Sequence, residues 1–183
     1  MTPSPRFPLL SRLLHWTMAV LVLAMLGIGV AMVASLTHYH RLVGIHRPLG
    51  FAILLLVVIR LVNRMINPPP PLPEGMPLLL RFAAHASHIA LYGLMLALPL
   101  VGWAMLSAAG YPIVLFGPVQ APAILPRDAA LYAELRVAHT VLAFALFATF
   151  IAHLGAALMH GLIFRDGVFS SMAGFGRRRP EAR

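Results

Sequence analysis

Apolar residues in this chain run together in four long blocks, at about 13–36, 42–66, 78–106 and 131–164. A helix needs about 20 mostly apolar residues to cross the hydrocarbon of a bilayer, and each block is long enough. The connections between the blocks are short. The pattern predicts an all-α integral membrane protein, an up-down-up-down four-helix bundle with both termini on one side. A single transmembrane domain over 1–183 is expected, ending in a flexible basic tail from about 167 to 183. Residues 67–73 read NPPPPLP, a stiff extended spacer that stops the second block. Residues 110–126 are rich in Gly and Pro and predict an ordered loop at the opposite end, apolar enough to lie against the membrane or a bound group. The first block follows Arg6 and Arg12 as a signal sequence would, and 31–35 is a cleavage-like patch. Its length and the polar His15 within it argue that it stays in the membrane.

Composition sharpens this picture. Of 183 residues, 60% are hydrophobic and 10% charged, with a mean hydropathy of +0.86. Soluble domains carry about 25% charged residues, so an ordinary cytosolic domain, a disordered chain and a conventional nucleic-acid binder are excluded. Cysteine is absent, which removes disulfides, iron–sulfur clusters, zinc-thiolate sites and thiolate-ligated haem. The net charge of +9 comes from 14 Arg with no Lys. Arg6, Arg12, Arg60, Arg64, Arg81, Arg165, Arg177, Arg178, Arg179 and Arg183 fall on the side of the termini; Arg41, Arg47, Arg127 and Arg136 fall on the other. Positive charge gathers on the cytoplasmic side, so both termini are expected there. The basic balance is thereby explained without nucleic acid.

Ionisable groups inside membrane spans mark functional sites. Carboxylates are nearly missing from the blocks, which weakens proton-pump and ion-transport readings, and histidine is what remains. His139 and His153 are 14 residues apart. That spacing gives roughly 21 Å of helical rise and returns the ring to within roughly 40° of the same face. His46 matches the outer level and His15 the inner level, each on another helix. Two imidazole pairs at two depths are what two stacked bis-His haem groups require. Depth alone leaves a His15–His160 pair open, because His160 shares the face of His153 one heptad on; centring the hydrocarbon between His139 and His153 puts His160 in the interfacial zone. His85, His88 and His160 form an inner, interfacial trio, a candidate quinone site or simply headgroup hydrogen-bonders. His38 and His40 have no specific role.

Leu14-His15-Trp16, Gly44-Ile45-His46 with Gly50, the run VIRLVNR from Val58 to Arg64, the Pro-rich linker, Ala84-His85-Ala86-Ser87-His88, Ala97-Leu98-Pro99, Ala138-His139 and His153 before Gly155-Ala156-Ala157 together resemble the bacterial cytochrome b561 family. The resemblance covers Arg12 to about Asp166. It implies two haem b groups, with axial ligands His15 and His153 for the inner one and His46 and His139 for the outer. It also implies electron transfer between periplasm and quinone pool, in a bacterial inner membrane. Some members oxidise superoxide and reduce ubiquinone; others of this helical plan anchor hydrogenases or formate dehydrogenases. Lysine-dependent roles cannot carry over to a chain without lysine.

The expected function is therefore di-haem electron transfer between a periplasmic donor, superoxide among the candidates, and the quinone pool, with ubiquinone as substrate. In that case the protein is either a superoxide:ubiquinone oxidoreductase or an electron carrier. The alternatives are a haem-anchor subunit of a partner dehydrogenase or hydrogenase, and, from another class, a histidine-lined transporter without haem. Arg12, Arg47 and Arg136 are candidate partners for haem propionates, as are Arg41, Arg60 and Arg64, since the guanidinium fork matches a carboxylate. Gly27, Gly29, Gly50 and Gly155 leave room for a flat ring or serve close helix packing. A homodimer is a further expected assembly.

Overall fold

With no water in the hydrocarbon to satisfy peptide groups, an apolar run has to close its hydrogen bonds within itself, and a helix does so. A computed structural model describes residues 6–73 and 75–174. Four helices long and apolar enough to cross a membrane occupy the four blocks. They are α1 (Leu9–Ala34), α2 (Tyr39–Ile66), α3 (Leu78–Ala109) and α4 (Ala129–Leu158), the last continuing as a π-helical turn over Met159–Phe164. α1 begins four residues ahead of the apolar block, because Pro8 sets the entry and the helix runs on past the hydrocarbon. Asp128 caps α4, its Oδ1 accepting from the amides of Ala130 and Leu131 at 2.9 and 3.0 Å.

α1 packs along α2, α2 along α3 and α3 along α4, whereas α4 makes no extended backbone contact with α1 or α2. The bundle therefore has an open seam on the α4 side. A thin core of Met18, Val22, Ile53, Val57, Met95, Leu98 and Leu146 ties the four helices together at mid-height. Most other large apolar side chains, such as Val20, Leu55, Ile89 and Phe144, face outward, as lipid contact requires. Near the termini, Asn63 Nδ2 donates to the Ser11 hydroxyl at 2.7 Å, a buried polar clasp between α2 and α1.

Two segments depart from the sequence expectation. The 110–126 loop folds into an antiparallel ribbon of β1 (Ile113–Phe116) and β2 (Val119–Ala121), turning at Gly117 with φ 52. It is fastened over the ends of the helices: Trp103 Nε1 donates to the Pro122 carbonyl at 2.8 Å, and the Ile124 amide to the Ser107 hydroxyl at 3.1 Å. The tail expected to be flexible from about 167 begins instead with a short helix, α5 (Val168–Ala173). The Phe7 amide donates to the Ser171 carbonyl, Trp16 Nε1 to that of Met172, and Arg12 to those of Met172 and Gly174, so the segment lies across the start of α1. The remainder of that tail lies outside the described residues. Both ends of the described chain thus meet at one end of the bundle, and the ribbon closes the other.

Candidate functional site

α4 faces the seam with two histidines, and each meets a histidine from across it. His139 faces His46 of α2 at the ribbon end, with ring centres 6.2 Å apart and planes at 63°. His153 faces His15 of α1 at the terminus end, with centres 6.4 Å apart and planes at 62°. An N–H···N hydrogen bond between two imidazoles would bring their centres to about 5 Å. The gap seen at both ends has another size. Two metal–imidazole bonds of about 2 Å each, added to roughly 1 Å from each nitrogen to its ring centre, give about 6 Å. Two nearly identical pairs, one helix contributing to both, make a repeated metal-bridging geometry at two depths.

The pairs have different surroundings. At the ribbon end, Nδ1 of His46, Nδ1 of His139 and Nε of Arg47 are buried without a hydrogen-bond partner among the described residues. Gly102 of α3 lies against the His139 ring, where a Cβ would come within 3.3 Å of Cε1. Phe51 and Trp103 meet edge to face at 5.1 Å beneath the ribbon. At the terminus end, Arg60 Nη2 donates to His15 Nδ1 at 2.8 Å. Arg60 and Arg64 both lie over the Tyr92 ring, 5.6 and 5.7 Å from its centre. Among the described residues no carboxylate pairs with Arg47, Arg60 or Arg64. Partly buried guanidinium groups without an anion are costly, so both ends are prepared for a negatively charged group.

This donor set fits haem: paired imidazoles at the iron-bridging separation, orphaned ring nitrogens, a glycine where a side chain would crowd a ligand, and cations for propionates. A match to known proteins decides the family. The family model described as prokaryotic cytochrome b561 matches residues 6–175. The chain belongs to the prokaryotic cytochrome b561 family. It is 35% identical over 174 residues to cytochrome b561 homolog 2 of Escherichia coli (strain K12), covering 92% of both chains. It is 29% identical over 161 residues to the probable superoxide oxidase CybB of Yersinia pestis, covering 87% of this chain and 90% of that one. As a cytochrome b561 family member the chain is a multi-pass protein of the bacterial inner membrane that binds haem b and transfers electrons.

The other histidines and arginines singled out from the sequence are dispersed in this cytochrome. The trio His85, His88 and His160 does not converge. His88 turns inward, its ring centre 5.4 Å from that of His153. His85 is exposed, with Nδ1 2.7 Å from the Arg81 carbonyl. His160 pairs with Asp166 at 2.6 Å. Arg12 directs donors to the carbonyls of Met172 and Gly174, while Arg41 and Arg136 are exposed. His38 Nδ1 lies 3.0 Å from the Ser35 hydroxyl and His40 stacks edgewise on Tyr39, both on the surface. Gly27, Gly29 and Gly155 face open space, and Gly50 has only Met25 within 4 Å. Sequence reasoning missed Gly102, Tyr92 and Asp166. Gly102 and Tyr92 sit on α3, which supplies neither ring pair, so no ligand spacing points to them. Asp166 lies six residues beyond His160, outside the i+3 and i+4 spacings by which helical partners are recognised.

Proposed function

We propose that this cytochrome b561 carries electrons across the membrane through two haem b groups, between a periplasmic donor and the quinone pool, with both termini cytoplasmic. The reading rests on one observation above the others: two histidine pairs at the same bridging separation, 6.2 and 6.4 Å, facing each other across the seam at two depths. In this reading His15 and His153 hold the cytoplasmic haem, and His46 and His139 the periplasmic one. Held by these paired imidazoles, haem would supply single-electron exchange.

The protein's own residues then have distinct tasks. The four ligand rings fix each group between α4 and a facing helix, and α4 sets the distance between levels. Arg60 holds only donors, so His15 Nδ1 accepts from it and a neutral ring carries its proton on Nε2. Were His15 to hold a haem through its other ring nitrogen, Nδ1 would become the donor and Arg60 would turn to another acceptor. A propionate would be such an acceptor, with the Tyr92 ring under the guanidinium keeping Arg60 near the site. Arg47, whose Nε has no partner among the described residues, serves the periplasmic group in the same way. His88 and His160 are the cytoplasmic-side candidates to meet a ubiquinone. Superoxide is the proposed donor, supported by the name of the Yersinia relative, which would make the chain a superoxide:ubiquinone oxidoreductase.

A reduced-minus-oxidised spectrum of the purified protein tests the reading. Two b-type haems per chain are expected, with one lost in each of His15→Ala, His46→Ala, His139→Ala and His153→Ala, and none in His160→Ala. Loss of a haem in His160→Ala with both kept in His153→Ala would replace the cytoplasmic pair. A spectrum without b-type bands would point to a histidine-lined transporter. Reduction by quinol but not by superoxide, together with a co-purifying dehydrogenase or hydrogenase, would make the chain a membrane anchor subunit.

A further inference from the structure

The elbow between α1 and α2 holds a cavity that neither ring pair uses. Ala31 and Ser35 are one turn apart along α1, and His38, Arg41, Leu42 and Ile45 follow at i, i+3, i+4 and i+7, on one face of α2. The turn at 35–38 folds these two faces around a space of about 390 Å3. Its lining is graded along the helices. Ser35, His38 and Arg41 stand where the chain reverses, and Ala31, Leu42 and Ile45 lie toward the middle of the spans, Ile45 about 6 Å beyond Arg41 along the axis. His38 Nδ1 is 3.0 Å from the Ser35 hydroxyl, and Arg41 has no hydrogen bond or ion pair among the described residues. Neither α1 nor α2 contains an Asp or Glu. The described carboxylates at this end are Asp128, which caps α4, and Glu134, and α4 makes no extended backbone contact with α1 or α2. No carboxylate of the described chain pairs with Arg41.

We propose that this cavity binds the head of one anionic phospholipid, with its phosphodiester on Arg41 and Ser35 and its glycerol and first methylenes against Ala31, Leu42 and Ile45. Charge complementarity and depth carry the inference. A cation at the level where the spans end meets the headgroup layer, and the guanidinium fork matches two phosphate oxygens. With the His38 Nδ1–H donating to Ser35 Oγ, the Ser35 O–H is left to donate to a third oxygen. α2 starts here without a side-chain cap, and the positive end of its dipole adds to the attraction. The apolar half of the cavity selects a lipid over a free anion, because a small anion would leave Ala31, Leu42 and Ile45 in contact with water. Val33 and Leu36 beside the cavity are strongly exposed, as side chains that face acyl chains are. The site is independent of the haem reading, since no residue lining it belongs to a ring pair.

The test measures lipid retained by the full-length protein in detergent, by native mass spectrometry, after addition of phosphatidylglycerol or phosphatidylcholine at the same concentration. Wild type is expected to keep one phosphatidylglycerol per chain and to prefer it to phosphatidylcholine by about tenfold, the scale of one charge-assisted contact. Arg41→Gln should lose that preference, whereas Arg136→Gln, which removes an exposed charge from the same end, should keep it. Ala31→Phe fills the apolar half, leaves Arg41 in place and should also release the lipid. All three variants are compared at wild-type helical circular dichroism. Equal retention of the two lipids by wild type would overturn the proposal. So would equal losses in Arg41→Gln and Arg136→Gln, which mark attraction to surface charge in general, or full retention in Ala31→Phe. Displacement of phosphatidylglycerol by inorganic phosphate at the same concentration would make the cavity a free-anion site and overturn the lipid as its occupant.

Discussion

The two ends of this bundle hold histidine pairs of the same geometry in opposite environments. Ring separations differ by 0.2 Å and interplanar angles by one degree, from 6.2 Å and 63° to 6.4 Å and 62°. Yet the ribbon-end pair is set among Gly102, partnerless ring nitrogens and a partnerless Arg47 Nε. The terminus-end pair touches His88, accepts a hydrogen bond from Arg60, and has Arg64 and Tyr92 close behind. Backbone geometry thus repeats a histidine pairing, while the neighbours make the copies unequal. Positive charge near an iron favours its reduced form, so the terminus-end group is expected to have the higher potential and to accept electrons from the other.

The largest effect expected is the loss of one end without the other. His139→Ala should remove the ribbon-end haem and His153→Ala the terminus-end haem, each leaving about half of the b-type absorbance, resolved as the disappearance of one step in a redox titration. If either variant loses both, the ends are coupled in assembly and the comparison breaks. Next comes Gly102→Leu. Its side chain would collide with the His139 ring, where even a Cβ sits at 3.3 Å, so haem at the ribbon end should fall by more than half while the terminus-end step stays. A protein that keeps full haem would show the ring to be more mobile than its packing suggests.

A subtler distinction is electrostatic. Arg60→Gln removes one of the cations at the terminus end and should lower that potential by several tens of millivolts, where 59 mV is tenfold for one electron; the ribbon-end step should move far less. Equal shifts at both ends would mean that the cation acts through the whole bundle. The smallest effect expected is on stability. Ser11→Ala leaves the buried Asn63 amide without its partner and should cost about 1–3 kcal/mol in a detergent unfolding assay. Loss of haem from the terminus end in this variant, with little stability change, would make the clasp part of the site.

The spans were legible because bilayer thickness dictates their length, and the observed helices differ from the apolar blocks by no more than four residues at any end. The levels of His15, His46, His139 and His153 were legible for a related reason: rise per residue along a straight helix is fixed. Surface segments were less so. Residues 113–121 pair as a ribbon because a glycine turn and Trp103, Ser107 and the rims of α2 and α3 hold them, and those holds are long-range. Likewise α5 exists where it can cap the start of α1, with Arg12 and Trp16 reaching its last carbonyls.

By itself the sequence determined the membrane, the four spans, the basic end and the two depths at which imidazoles occur, because each follows from counting along one helix. Only the tertiary structure decided which rings face each other, that α4 stands off from α1 and α2 to leave the seam, and that His88 joins the terminus-end pair while His160 finds Asp166. Those outcomes depend on how helices rotate against one another and on a π turn that shifts the register of everything beyond it. Counting along a single helix fixes height, and packing between helices fixes direction.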